Sequence, residues 1–155
     1  MQQISERILL TLWVGGMWVV GPVVTPTLFK MISDRTIAAA VAGQLFTIMS
    51  FIGLFCGCFL LITHAAALGK QVSKSWRAWL LVAMLMVIII GEFVLSPEIV
   101  EIRDAGMPAD AKARFDMLHR TASTLYMMTS LAGLALVIFG IGVSGKGVKE
   151  QASSN

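Results

Sequence analysis

The stretch Thr36–Gly69, TIAAAVAGQLFTIMSFIGLFCGCFLLITHAAALG, contains no Asp, Glu, Lys or Arg. A run of about 18 or more mostly apolar residues reads as a helix that crosses a bilayer. Drawn as one helix, this run would reach about 51 Å, well beyond a hydrocarbon core of about 30 Å. Its alanine-rich start, Ala38–Ala40 and Ala42, favours helix but is only weakly apolar. That end is therefore expected in headgroups or water, with the immersed part near Leu45–Thr63. Gly53 and Gly57 form a GxxxG, a spacing that lets membrane helices approach closely.

Outward from this run, three more segments carry almost no charge: Ile8–Phe29, Ala78–Gly91 (followed at once by Glu92) and Thr121–Gly145. Apolar residues make up 57% of the chain and charged residues 14%. A soluble domain is nearer a quarter charged, and disorder needs low hydrophobicity. The fold class that follows is all-α: a polytopic membrane protein, a four-transmembrane-helix bundle with helical extensions on the outer side. The spans fall at about 8–29, 43–66, 76–96 and 119–143, within one transmembrane domain over 1–145, and 146–155 is a polar tail. The first apolar run is longer than the apolar core of a signal peptide, so it counts as a span. No internal repeat stands out.

Local signals refine this picture. Pro22 and Pro26 each remove a helix hydrogen bond, so the end of span one should kink or stop, freeing the carbonyls of Trp18 and Pro22. Ser96-Pro97-Glu98 reads as the cap and first turn of a new short helix that ends at Gly106. The last helix is expected to begin near Pro108, ahead of its span. Trp76 and Trp79, beside Lys74 and Arg77, anchor the start of span three at headgroup depth.

The formal charge of +3 does not point to nucleic acid, because the cations sit in the loops. With the N-terminus cytoplasmic, six Lys and Arg fall on each side, so number alone does not orient the chain. Density does: Lys70–Arg77 holds three cations and no acid, whereas the third connection mixes four cations with five acids. Both termini are therefore placed in the cytoplasm, and the expected location is a bacterial inner membrane, crossed several times.

Few residues carry chemistry. Cys56 and Cys58 lie two apart, about 200° around a helix, so both sulfurs cannot hold one ion; they read as small buried side chains. The ten methionines are scattered. His64 and His119 fall at opposite ends of the membrane and cannot share a haem or a metal. His119, Ser123, Tyr126, Ser130 and Gly133 form one polar or small face of span four. That face is either a packing seam or the wall of a cavity open to the outer side. Glu92 is the only formal charge inside a span, where insertion costs about 2.5–3.5 kcal/mol. It is either paired with Arg103 or Arg120, held protonated, or part of a cation or proton site. The candidate polar site is thus Glu92, His119, Tyr126, Arg103, Arg120 and Ser123.

Leu12-Trp13-Val14-Gly15-Gly16 leading to Pro26-Thr27-Leu28-Phe29, Ala42-Gly43-Gln44-Leu45-Phe46, Pro97…Arg103 and Phe115-x-x-Leu118-His119-x-x-x-Ser123 together resemble the DUF4149 family, also described as TMEM205-like. The resemblance implies a four-helix membrane protein and supplies no catalytic residues. More distantly the layout looks like the CopD copper-resistance domain and the HemJ type of haem-binding protoporphyrinogen oxidase. Those rely on histidines within spans, and span one here has none.

Three functions compete: a protein that binds or moves a cation or small solute at its outer side, a CopD-like copper or haem redox protein, and a structural or assembly subunit. No nucleophile with its base and no phosphate loop is present, which argues against an enzyme. No cofactor is specified. The partners implied are the lipid bilayer, not nucleic acid, with room for a homo-oligomer or a membrane-protein partner. If the orientation is right, alkaline phosphatase fused after Asn155 stays inactive while a cytoplasmic reporter at the same point is active; phosphatase activity there reverses inside and outside.

Overall fold

The computed structural model describes residues 2–140, and the side-chain surroundings of 5–139. The polar tail at 146–155 lies outside the described residues. Six α-helices follow one another: α1 (Gln2–Val19), α2 (Thr25–Met31), α3 (Arg35–Leu68), α4 (Trp76–Ile90), α5 (Ser96–Asp104) and α6 (Lys112–Gly140). No strand occurs among the described residues. A π-helical segment, Val20–Val24, joins α1 to α2, and a second, Gly91–Leu95, joins α4 to α5. The chain therefore makes four continuous rods, Ser5–Met31, Arg35–Lys74, Trp76–Asp104 and Lys112–Phe139, each long and apolar enough to cross a membrane.

The prolines did not end span one, and Ser96-Pro97 did not start a detached helix. Leu95 and Ser96 both keep helical dihedrals, and Ser96 makes no side-chain cap. The wide turn absorbs the misfit instead. The backbone N–H of Thr25 reaches the Val20 carbonyl, and that of Ser96 reaches the Gly91 carbonyl, each five residues back. The next residue is proline in both cases, Pro26 and Pro97. The last helix begins at Lys112, not at Pro108; Gly106 and Met107 have positive φ and Pro108–Ala111 form a turn.

Helix ends follow local chemistry. The Asp34 carboxylate accepts from the N–H groups of Thr36 (2.8 Å) and Ile37 (3.3 Å), an N-cap that starts α3 directly after a short loop. Gly69, at φ +54°, stops α3 and leads through a 3₁₀ turn, Gly69–Lys74, into α4. At this proximal end, which also carries Gln2 and Gly140, His64 shares a 2.8 Å hydrogen bond with Ser75.

Around the bundle α1 neighbours α3 and α6, and α4 neighbours the same two helices. At the distal end α2 packs mainly on α3, and α5 on α6. The core is Trp13, Met17, Cys56, Leu60, Leu81, Met84, Ile88 and Leu136. Cys56 is buried and Cys58 exposed, so the two thiols do point apart.

The two halves of the chain repeat one another, a relation absent from the sequence reading. Ala42-x-x-Leu45-Phe46-x-x-x-Ser50-x-x-Gly53-Leu54 in α3 matches Ala122-x-x-Leu125-Tyr126-x-x-x-Ser130-x-x-Gly133-Leu134 in α6. In the same way buried Trp13, Val14 and Met17 match buried Met84, Leu85 and Ile88, and Thr25-Pro26 matches Ser96-Pro97. The packing repeats too: Trp13 lies on Gly53, and Met84 lies on Gly133. A Cβ at Gly53 would come within 2.6 Å of the Trp13 indole nitrogen, and one at Gly133 within 2.7 Å of Val14.

These two contacts set an expectation for stability. Gly53→Leu and Gly133→Leu should each cost about 1–3 kcal/mol through overpacking. Gly15→Ala, where nothing lies within 4 Å, should cost nothing. Thermal unfolding of the three variants in one detergent checks this; equal midpoints would refute the close approach.

Candidate functional site

The four rods leave a cavity of about 470 Å³ between them in the distal half. Its walls come from every rod: Met17 and Gly21 from the first, Gly43 and Phe46 from the second, Glu92 and Arg103 from the third, His119 and Tyr126 from the fourth. Most of the lining is apolar, and the size suits a small-molecule ligand.

Of the six candidate residues, five line this one cavity: Glu92, Arg103, His119, Ser123 and Tyr126. Arg120 does not line it and is exposed. The polar face of α6 divides by depth. His119, Ser123, Tyr126 and Ser130 border the cavity, while Gly133, one turn deeper, packs against Val14 and Met84. One face thus serves as both wall and packing seam.

Each side chain is positioned differently. Glu92 sits in the π-helical segment, half-buried, with no hydrogen bond or ion pair among the described residues. The expected partners, Arg103 and Arg120, do not pair with it. Arg103 extends from α5 with its side chain 14% exposed; its Nε donates to Asp104 at 3.2 Å. Its Nη1 reaches across to α3, where a Cβ at Gly43 would stand 3.7 Å away. The His119 ring stacks parallel on Phe115, with centroids 6.0 Å apart. The Ser123 hydroxyl is taken by its own helix, donating to the His119 carbonyl at 2.8 Å. Arg114 pairs with Glu98 and ties α5 to α6 above the cavity.

Tyr126 is a tie between rods. Its hydroxyl donates to the Met17 carbonyl at 2.7 Å, its ring packs beside Gly21, and it meets Phe46 edge-on at 4.8 Å. The sequence had pointed to the Trp18 and Pro22 carbonyls as the groups freed by proline. Those residues do line the cavity, but the side-chain donors go elsewhere: Tyr126 to Met17, and the Thr25 hydroxyl to Val20 at 2.9 Å. The wide turn moves hydrogen bonding by a residue, which an α-helical count cannot show.

Two lining residues stood outside the candidate site, although Ser130 belonged to the polar face of span four. The Trp13 indole N–H and the Ser130 hydroxyl are buried without a hydrogen-bond partner among the described residues. An unsatisfied buried donor costs about 1–3 kcal/mol. Ser130 stood on the polar face as a stripe member; Trp13 gave no signal beyond its place in the motif Leu12–Gly16. The two histidines are far apart, with His64 at the proximal end and His119 in the distal cavity. Among the described residues, no three of His, Cys, Asp and Glu come together as metal ligands.

This architecture is that of a multi-pass, four-helix membrane protein. Residues 8–108 match the family described as Domain of unknown function (DUF4149), and the chain belongs to that family. No curated protein and no solved structure matches it.

The tie between rods predicts a measurable cost. Tyr126→Phe keeps the ring contacts and removes only the bond to Met17, so it should lower stability by about 1 kcal/mol. A thermal midpoint equal to that of the unaltered protein would show that the bond contributes nothing.

Proposed function

We propose that this protein binds a small solute with a polar end and an apolar body in the distal cavity, on the extracytoplasmic side of a bacterial inner membrane. The observation that carries the reading is the cavity itself. It is largely apolar, it joins all four rods, and its wall includes a carboxylate, Glu92, that has no partner among the described residues. Unpartnered polar groups inside a membrane protein are costly, and a ligand that satisfies them offsets the cost. The dense basic hairpin at Lys70–Arg77 supports placing the opposite, distal end outside.

A bare cation fits this lining less well. Glu92 is its one carboxylate, and Arg103 shares the space; hard cations take several oxygen ligands. A copper or haem reading finds no cluster of ligands among the described residues. A purely structural subunit would account for the packing but not for an unpartnered carboxylate on the cavity wall.

Ala122 lines the cavity, and Leu131, on the same helix, is 51% exposed. Ala122→Phe fills the space; Leu131→Phe is its control on the outer face. Gently purified protein should carry one amphipathic molecule per chain by native mass spectrometry. That molecule should be lost in the Ala122→Phe variant and kept in the control. Equal occupancy in both folded variants would remove the cavity as the binding place.

A further inference from the structure

The cavity contains opposite charges that the protein does not pair with each other. Glu92 and Arg103 both line it, yet the ion pairs among the described residues are Arg103 with Asp104 and Arg114 with Glu98. Asp104 is 66% exposed and takes only Nε of Arg103. The two Nη groups of Arg103 have no acceptor among the described residues, and Nη1 faces the open backbone at Gly43. A guanidinium presents a planar fork of donors that suits a two-oxygen anion. Gly43, with no side chain, lets the guanidinium come close to α3. His119, stacked on Phe115, adds ring nitrogens with no hydrogen-bond partner among the described residues.

A ligand with one charge answers only half of this arrangement. A cation would meet Glu92 and be opposed by Arg103; an anion would meet Arg103 and be opposed by an ionised Glu92. The repeat sharpens the point. In the first half, Gly21 occupies the place that corresponds to Glu92, against the Tyr126 ring. The acid is therefore one-sided, and the cavity holds one charged site rather than two. The body of the ligand is set by the remaining walls. Trp18, Val100 and Met127 line the cavity and are 37%, 37% and 51% exposed. They give it an apolar wall.

We propose that the ligand is a zwitterionic amphiphile: a phosphate ester held by the Arg103 fork and His119, an ammonium group against Glu92, and an apolar body along the cavity wall. This deepens the solute-binding reading above and rests on it. The bilayer itself supplies such molecules as phospholipids of the ethanolamine type. A free phosphate–ammonium compound would share the headgroup chemistry without the body.

The test uses the full chain, freed of lipid in detergent and titrated under native mass spectrometry with four probes. These are phosphatidylethanolamine, phosphatidylglycerol, diacylglycerol and free phosphoethanolamine. Phosphatidylethanolamine should bind at least tenfold more tightly than the other two lipids, and free phosphoethanolamine should show no binding. Arg103→Gln should weaken phosphatidylethanolamine at least tenfold, with Arg103→Lys, which keeps the charge and loses the fork, in between. Glu92→Gln should bring phosphatidylethanolamine to the level of phosphatidylglycerol and leave phosphatidylglycerol no weaker. Equal binding of the three lipids, unchanged by either substitution but abolished by Ala122→Phe, would overturn the charge assignment and leave the cavity-binding reading standing. Free phosphoethanolamine binding as tightly as the lipid would overturn the amphiphile. Lipid binding that survives Ala122→Phe would defeat both.

Discussion

In hydrocarbon there is no water to take an unpaired carbonyl, so every break in a helix must be repaired by the protein itself. The first rod breaks its ladder at Pro22 and Pro26, and the third at Pro97. Both rods answer with the same wide turn, in which the residue before the proline donates to a carbonyl five back. The rest of the distal half follows. Each turn redirects its rod, so that α2 settles on α3 and α5 on α6. The space left between the two pairs is the cavity. Tyr126 then ties the fourth rod to the first at Met17, beside the turn, and holds that space to its shape.

The repeat runs through both the core and the cavity wall. Trp13 with Met84, Gly53 with Gly133 and Met17 with Ile88 hold matching places, and Ala42 with Ala122 and Ser50 with Ser130 match on the wall itself. At four further places both members line the cavity and differ in polarity. Gly21 stands opposite Glu92, Phe46 opposite Tyr126, Ala39 opposite His119, and Gly43 opposite Ser123. At these four places the second half supplies the polar side chain of a shared wall.

Hydropathy made the four spans legible, because an uncharged run of this length has no alternative in a folded chain. Helical spacing made the face His119–Gly133 legible, and depth put Glu92, His119 and Tyr126 together. The turns were not legible. Proline signals a break, but Thr25 and Ser96 act through a five-residue register that neither propensity nor periodicity encodes. Arg103 and Arg120 could not be told apart either, since the rotation of α5 and of α6 about their own axes decides which faces inward. The repeat escaped because membrane helices share an apolar alphabet; matched burial, not matched identity, makes Trp13 and Met84 equivalent.

The separation of Glu92 from Arg103 is the most demanding feature left to explain. A charged side chain at depth costs about 2.5–3.5 kcal/mol on insertion scales, and direct pairing is the simplest relief. Both residues sit on the third rod and both border the same space, but the helix between them sets their backbones about 16 Å apart. Arg103 instead reaches across to Gly43 on another rod and leaves its fork open, with Nε anchored by an exposed Asp104. At that separation each charge keeps its own desolvation cost. Held apart across an apolar space, the two become complementary to something that carries both charges. The economy of burying charge therefore argues for a site with an occupant, where composition argued only for a membrane protein.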